Sequence, residues 1–419
     1  MPARALDLVL LGATGFTGRL VAEYLAGRVG DEVRIGLAGR SAERLTALRD
    51  GLPPPARHWP VLVTDTRDPS GLRSLAEHTR VVATTVGPYA RYGLPLVEAC
   101  AAAGTHYADL AGEVLFMRDS IDRYDRVAQA SGARVVHACG FDSIPSDLGV
   151  WDLAQRVAAD AEGELTDTTL VVTAIRGGVS GGTLASARTE LAAVRSDPAL
   201  RRLAADPYAL SPDRSAEPDL GDESDLRGTF FDEHAGQWVA PFVMAGVNMR
   251  VVRRSNALLA YHYGRRFRYR EVSGLGTGPQ AAAKGAAMAA GLGGMTALLG
   301  NAVTGGVADA VAAAALPEPG EGPDAEARAK GYFRIQIVTT TSTGARYTER
   351  VEATGDPGYA ATCVMLGEAG LCLVQDENRL PGVAGVLTPA AAFGGVLVDR
   401  LRAAGMVFEA RRDDRAAPG

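Results

Sequence analysis

The stretch from Leu6 to Gly18, L-D-L-V-L-L-G-A-T-G-F-T-G, constrains this chain more than any other. An apolar run of strand length passes straight into Gly12-Ala13-Thr14-Gly15-Phe16-Thr17-Gly18 and then into a segment of helical spacing, which predicts strand, glycine turn and helix. A pyrophosphate can sit at such a helix start only if the turn is tight and bare enough for backbone N–H groups to reach it. Gly12 would make the turn, Gly15 would permit the approach and Gly18 would let the helix pack on the sheet, with Thr14, Phe16 and Thr17 along the same curve. The plainer alternative is a structural turn. Its setting directly after a clean strand favours the dinucleotide.

The next strand, Val33 to Ala38, decides which dinucleotide. Its far end reads Gly39-Arg40-Ser41, with Arg44 one helical turn later. A carboxylate at this place would bind the ribose 2′-hydroxyl of NAD, whereas arginines beside a hydroxyl suit the 2′-phosphate of NADP. NADPH is therefore the expected cofactor. A third strand, Val61 to Thr64, delivers Asp65, read either as a contact to the adenine edge or as a helix N-cap. The fourth ends in Thr85-Val86-Gly87-Pro88-Tyr89, a turn expected along the cofactor near its nicotinamide, because open α/β sheets bind ligands outside the carboxyl ends of their strands.

Candidate catalytic groups follow. Tyr89 lies where hydride would leave, and Thr105 to Leu110 is a short polar strand carrying His106 and Asp109. A lone histidine is as often a satisfied structural one. The strand Arg134 to Ala138 then delivers Cys139-Gly140-Phe141-Asp142-Ser143-Ile144-Pro145-Ser146-Asp147. By capping rules Ser143 or Ser146 starts a helix there, and Asp142 and Ser143 are also placed to meet a substrate.

The set G-A-T-G-F-T-G, A-G-R-S, T-T-V-G-P-Y, Y-A-D-L-A-G-E and C-G-F-D-S-I-P-S-D-L-G resembles the saccharopine-dehydrogenase-like family, and within it the trans-acting enoyl reductases that serve polyketide and lipid synthases. The likeness is dense over residues 6–150 and sparser through Gly177 to Thr183 and Thr388 to Ala392. It implies an α/β chain: an N-terminal Rossmann dinucleotide-binding domain over 1–150, a second α+β substrate domain over 151–380, and a C-terminal helix within 381–419 returning to the first domain.

A formal charge of −6 argues against nucleic acid as a partner. Four scattered cysteines give no metal or disulfide pattern, and no signal segment precedes the first strand, so a cytoplasmic location is expected. Gly177 to Thr183 is a second glycine turn before a helix, able to hold an anion or serve only as a loop. Residues 197–227 read as an exposed, partly mobile excursion. The seven arginines from Arg250 to Arg270 could dock an acyl carrier protein, hold a coenzyme A phosphate or face solvent on a strand over Leu258 to Val272. The Ala- and Gly-rich insert 281–316 reads as closely packed helices, with peripheral membrane contact open but not favoured. A homodimer is also open, and residues from Arg411 onward read as a frayed tail.

The leading expectation is an NADPH-dependent reductase of an α,β-unsaturated acyl thioester carried on an acyl carrier protein or coenzyme A. It needs a donor at the developing enolate oxygen and an acid for the α-carbon. Tyr89, His106 and Ser143 can fill those roles, with Asp109 or Asp142 tuning them. Two alternatives are an imine or amino-acid reductase, which would use the arginines for carboxylates, and a non-catalytic NADPH-binding scaffold at a lipid surface.

Overall fold

A computed structural model describes residues 4–178, 180–300 and 322–413. Its strands in chain order are β1 (Leu6–Leu11), β2 (Ile35–Gly39), β3 (Val61–Val63), β4 (Thr79–Thr84), β5 (His106–Ala108), β6 (Arg134–Val136), β7 (Leu165–Arg176), β8 (Phe230–Asp232), β9 (Gln237–Pro241), β10 (Arg268–Gly276), β11 (Tyr332–Thr341), β12 (Arg346–Thr354), β13 (Gly385–Leu387) and β14 (Val407–Arg412). They form two seven-stranded sheets.

The first sheet runs β3-β2-β1-β4-β5-β6-β13 with every pair parallel. Parallel neighbours need crossover helices, which is why near-continuous apolar strands alternate here with helices on both faces. The strand order reverses between β1 and β4, which opens a crevice at their carboxyl ends. The second sheet, β14-β12-β11-β7-β10-β9-β8, is antiparallel apart from the β7–β10 pair. Leu8 and Leu10 of β1 and Leu170, Ile335 and Ile337 of the second sheet belong to one buried apolar cluster. The two sheets are thus braced by a shared core.

The chain returns to the first sheet ahead of residue 381. The helix Thr362–Gln375 packs on the helix Phe16–Arg28 and on β1, β4 and β5. Its start is drawn out to Pro357–Ala361, and this stretch is long and apolar enough to cross a membrane by composition, yet 83% of the apolar window is buried in protein. Glu368 in this helix is fully buried and accepts from Tyr24 Oη, Arg28 Nε and Arg400 Nε at 2.5, 2.7 and 2.7 Å. β13 then extends the parallel sheet, the helices Pro389–Phe393 and Gly395–Ala403 follow, and β14 crosses back to pair with β12.

Three expectations need correction. Arg411 and Arg412 are not frayed, because they pair with Thr348 and Tyr347; residues 414–419 lie outside the described residues. The excursion 197–227 is anchored rather than loose: it contains the helix Pro198–Ala205, buries Tyr208 to Ser211, and supplies Glu223 and Asp225 as ion-pair partners. The strand expected over Leu258 to Val272 starts only at Arg268, since Ala245–Leu258 is a helix. Of the 281–316 insert, the described part belongs to one helix, Pro279–Gly300, and residues 301–316 lie outside the described residues.

Candidate active site

The glycine turn stands at the crevice. Gly12 has φ +88°, which L side chains rarely adopt, and a Cβ there would meet Thr85 Oγ1 and Val86 Cγ2 at 2.8 Å. A Cβ on Gly18 would stand 2.1 Å from the Gly12 carbonyl oxygen, so helix and turn touch backbone to backbone. The helix Phe16–Arg28 begins at Gly15 with no side-chain cap. Its first N–H groups therefore face the crevice with the positive end of the helix dipole behind them. This bare, uncapped start fits a dinucleotide pyrophosphate. The Phe16 ring is turned to the second unit, 4.9 Å from that of Tyr359, while Thr17 contributes its carbonyl to the Cys363 thiol. Thr85 Oγ1 donates to the Gly12 carbonyl, tying the β4 turn of Thr85, Val86, Gly87 and Pro88 to the glycine turn.

At the end of β2, Ser41 caps the helix Ala42–Gly51 by accepting from Arg44 N, and Arg44 Nη2 reaches the Thr14 carbonyl at 3.3 Å. Arg40 is exposed beside them. Two guanidinium groups and a hydroxyl thus flank the turn where an adenosine 2′-phosphate would lie. Asp65 does not cap the helix that follows it. Arg67 grips both its oxygens and pulls its carboxyl down to about 2, and the helix after it is capped by Asp68.

The candidate acids separate sharply. Tyr89 is buried, its hydroxyl donating to the Thr84 carbonyl at 3.2 Å and accepting from Leu110 N at 3.1 Å, and burial drives its ionisation far out of range. It braces two strand ends and has no proton to offer a substrate. His106 begins β5, so it lies at the amino edge of the sheet, away from the crevice; Nδ1 accepts from Arg134 N and Nε2 faces Glu377 at 3.3 Å. Ser143 is fully buried and donates to Asn248 Oδ1, and its side chain does not cap the helix Ile144–Ala159 that it precedes.

Asp109 is fully buried and accepts from Tyr107 Oη and from the N–H groups of Ala111 and Ala138, while His137 Nδ1 lies 2.7 Å from its Oδ2. His137 Nε2 meets Ser120 Oγ at 2.8 Å. This staple fixes the carboxyl ends of β5 and β6, and sequence reasoning missed its histidine. The signal was present: Tyr107-Ala108-Asp109 and Val135-Val136-His137 end adjacent parallel strands at the same level.

Asp142 remains. It is partly exposed beyond β6, and burial alone pushes its carboxyl up to about 6. A Cβ on Gly112 would lie 3.5 Å from Asp142 Oδ2 and 3.8 Å from Met244 Cε, so acid and thioether converge over bare backbone. The helix Gly181–Ser196 covers this end of the crevice. Its Ser186 Oγ donates to Glu113, which also caps Tyr89 N and Ala90 N, and its Glu190 accepts from Leu115 N. Burial raises Glu190 to about 7. Val179 of the second glycine turn lies outside the described residues.

Five of the seven arginines are engaged within the fold, while Arg265 and Arg266 are exposed. Arg250, Arg253 and Arg254 are buried on the helix Ala245–Leu258, the first two paired with Asp225 and Glu223 and the third donating to the Leu210 and Val386 carbonyls. Arg270 pairs with buried Asp232 and Arg268 bonds the Leu220 carbonyl. Counting arginines could not reveal these partners. Arg250, Arg253 and Arg270 already hold carboxylates of this chain.

Comparison with known proteins agrees with this geometry. Residues 8–136 match the model of the saccharopine dehydrogenase NADP binding domain. A Mycobacterium tuberculosis chain named as a trans-acting enoyl reductase is 52% identical over 98% of this chain and 98% of its own length. One from Mycobacterium ulcerans with that name is 47% identical with the same coverage. Saccharopine dehydrogenase from Saccharomyces cerevisiae shares the fold at a TM-score of 0.53 and 11% identity, covering 97% of this chain and 100% of that one. Sheet order, glycine turn and full-length likeness converge: the chain belongs to the trans-acting enoyl reductase family, oxidoreductases built on a saccharopine-dehydrogenase-like fold that use NADPH.

Proposed function

We propose that the chain reduces the carbon–carbon double bond of an α,β-unsaturated acyl thioester, presented on an acyl carrier protein or as a coenzyme A ester, in polyketide or lipid biosynthesis. The carrying observation is the full-length identity of 52% and 47% to chains named as trans-acting enoyl reductases. Bound NADPH supplies the hydride, which adds to the β-carbon. The π pair then shifts toward the thioester oxygen, and the α-carbon must take a proton to give the saturated thioester. Asp142 is the residue assigned to that proton: burial pushes its carboxyl up to about 6, so it holds a proton to higher pH than an ordinary carboxyl, and it faces Gly112, where no side chain obstructs a substrate. The Asp109–His137 staple holds the two strand ends that carry Gly112 and Asp142, so it positions without touching substrate. Arg40, Ser41 and Arg44 bind the 2′-phosphate, and the uncapped helix start binds the pyrophosphate. Four free, buried cysteines and the use of NADPH fit the cytoplasm as its place of work.

The test is NADPH oxidation followed by absorbance against enoyl thioesters of several lengths and against mixtures of amines with ketoacids, with NADH in parallel. Enoyl thioesters are expected to turn over with NADPH preferred. Turnover only of the amine and ketoacid mixtures would overturn the assignment.

A further inference from the structure

The pairing of β7 with β11 shifts register twice, and one of these shifts falls at Thr173. Leu170 and Val172 pair with Ile337 and Ile335 on the face that packs into the shared core, and Ala174 pairs with Arg334, leaving Thr173 as an extra residue. Such a bulge re-aims the side chains after it. Simple alternation would send Ile175 outward with Thr173. Instead it pairs with Phe333, which is fully buried in the core. Directly opposed residues share a face, so Ile175 points to the inner side of the sheet. It is nevertheless 48% exposed, which means that the inner face is open there. The Phe333 ring lies 4.9 Å from that of Phe141, the residue before Asp142. An apolar wall thus runs from the acid through Phe141 to Ile175, and Met244 Cε closes on the Gly112 end of it. Val243, next to Met244, is also exposed.

We propose that Ile175, aimed by the bulge at Thr173, sets the acyl-chain preference of the enzyme by seating the methylene tail of the substrate, whose reacting end lies between Asp142, Gly112 and Met244. This rests on the reading of the chain as an enoyl thioester reductase. The occupant follows from the chemistry of the wall. Phe141, Phe333 and Ile175 are all apolar, and a long acyl tail is the part of such a substrate that gains by leaving water.

The experiment uses the full chain loaded with NADPH and two probes, crotonyl- and dodecenoyl-coenzyme A, with Ile175→Asp and the conservative Ile175→Val. The half-exposed position at a strand end tolerates both. Ile175→Asp is expected to raise the KM for the dodecenoyl ester about ten-fold while changing that for the crotonyl ester by no more than roughly two-fold, because only the longer tail reaches the residue. Ile175→Val should stay near wild type on both. Calorimetric binding of dodecanoyl-coenzyme A, the saturated product, should weaken in parallel in the Asp variant. Equal effects on the two esters, or none, would overturn the seat. If wild type turned over neither ester, the reductase reading would fail by itself, and product binding would still decide: Ile175-dependent binding upholds the seat, and binding indifferent to Ile175, or none, refutes it.

Discussion

At the residue scale, charge and solvent access separate side chains that look alike in a string of letters. Arg40 is exposed beside Ser41 and Arg44. Arg40→Ala should raise the KM for NADPH about ten-fold or more and leave that for NADH within roughly two-fold, measured by initial rates; equal effects would remove it from the 2′-phosphate site. Asp142 must be protonated to deliver its proton, and its carboxyl is raised to about 6 by burial. The rate should therefore fall as pH climbs above that value. In Asp142→Asn this alkaline limb should vanish and kcat should drop by about two orders of magnitude with NADPH affinity unchanged, a split that pH profiles and cofactor titration read directly. The strand, glycine turn and helix were legible because their form depends on neighbours a few residues away. Tyr89 and His106 were misread because which edge of a sheet a side chain faces, and who already bonds it, depends on Leu110, Arg134 and Glu377, the last of these 271 residues from His106.

At the element scale, the helix Thr362–Gln375 is the clearest case of a segment whose letters mislead. Taken alone it is apolar enough for a lipid bilayer, and in the fold it is an interior brace. Glu368 explains how an interior helix tolerates a carboxylate: it is held by Arg28, Arg400 and Tyr24. Glu368→Ala should cost about 3 kcal/mol by denaturant unfolding, toward the lower end for breaking a buried pair, because Arg28 can reach water and Arg400 keeps Asp376. The helix Ala245–Leu258 teaches the same lesson. Its arginines looked like a basic surface because Glu223 and Asp225, which bind them, come from a stretch whose Pro, Asp and Ser content signals only exposure.

At the scale of the whole molecule, the two sheets are laced together by a chain that crosses between them before β7, after β12 and again before β14. Ile144–Ala159 leads out, and β14 returns after the first sheet has been completed by β13. Glu349 sits at this closure, on β12 opposite Ala410 of β14 and against Gly149 of the outgoing helix. It is fully buried and neither carboxyl oxygen finds a partner, so burial pushes it from an ordinary 4.5 up to about 9. The folded state keeps this proton where the unfolded chain releases it. The stability that the protonated acid allows is therefore complete below the ordinary value and is lost as pH rises toward 9. Glu349→Gln, which cannot ionise, should match wild type in Tm near pH 5 and exceed it progressively up to pH 9 in calorimetric scans; a constant offset would refute the assignment.

The placement of β13 has a consequence for how the protein is made. The ribosome releases the glycine turn long before Gly385–Leu387, yet the strands they adjoin belong to one sheet. Until residue 387 emerges, β6 is a bare parallel edge, a template open to foreign strands. During synthesis that edge must wait while β7 to β12 of the second sheet are translated. A sheet begun early is thus closed late, and the nascent chain is exposed to mispairing from the emergence of β6 until that of β13.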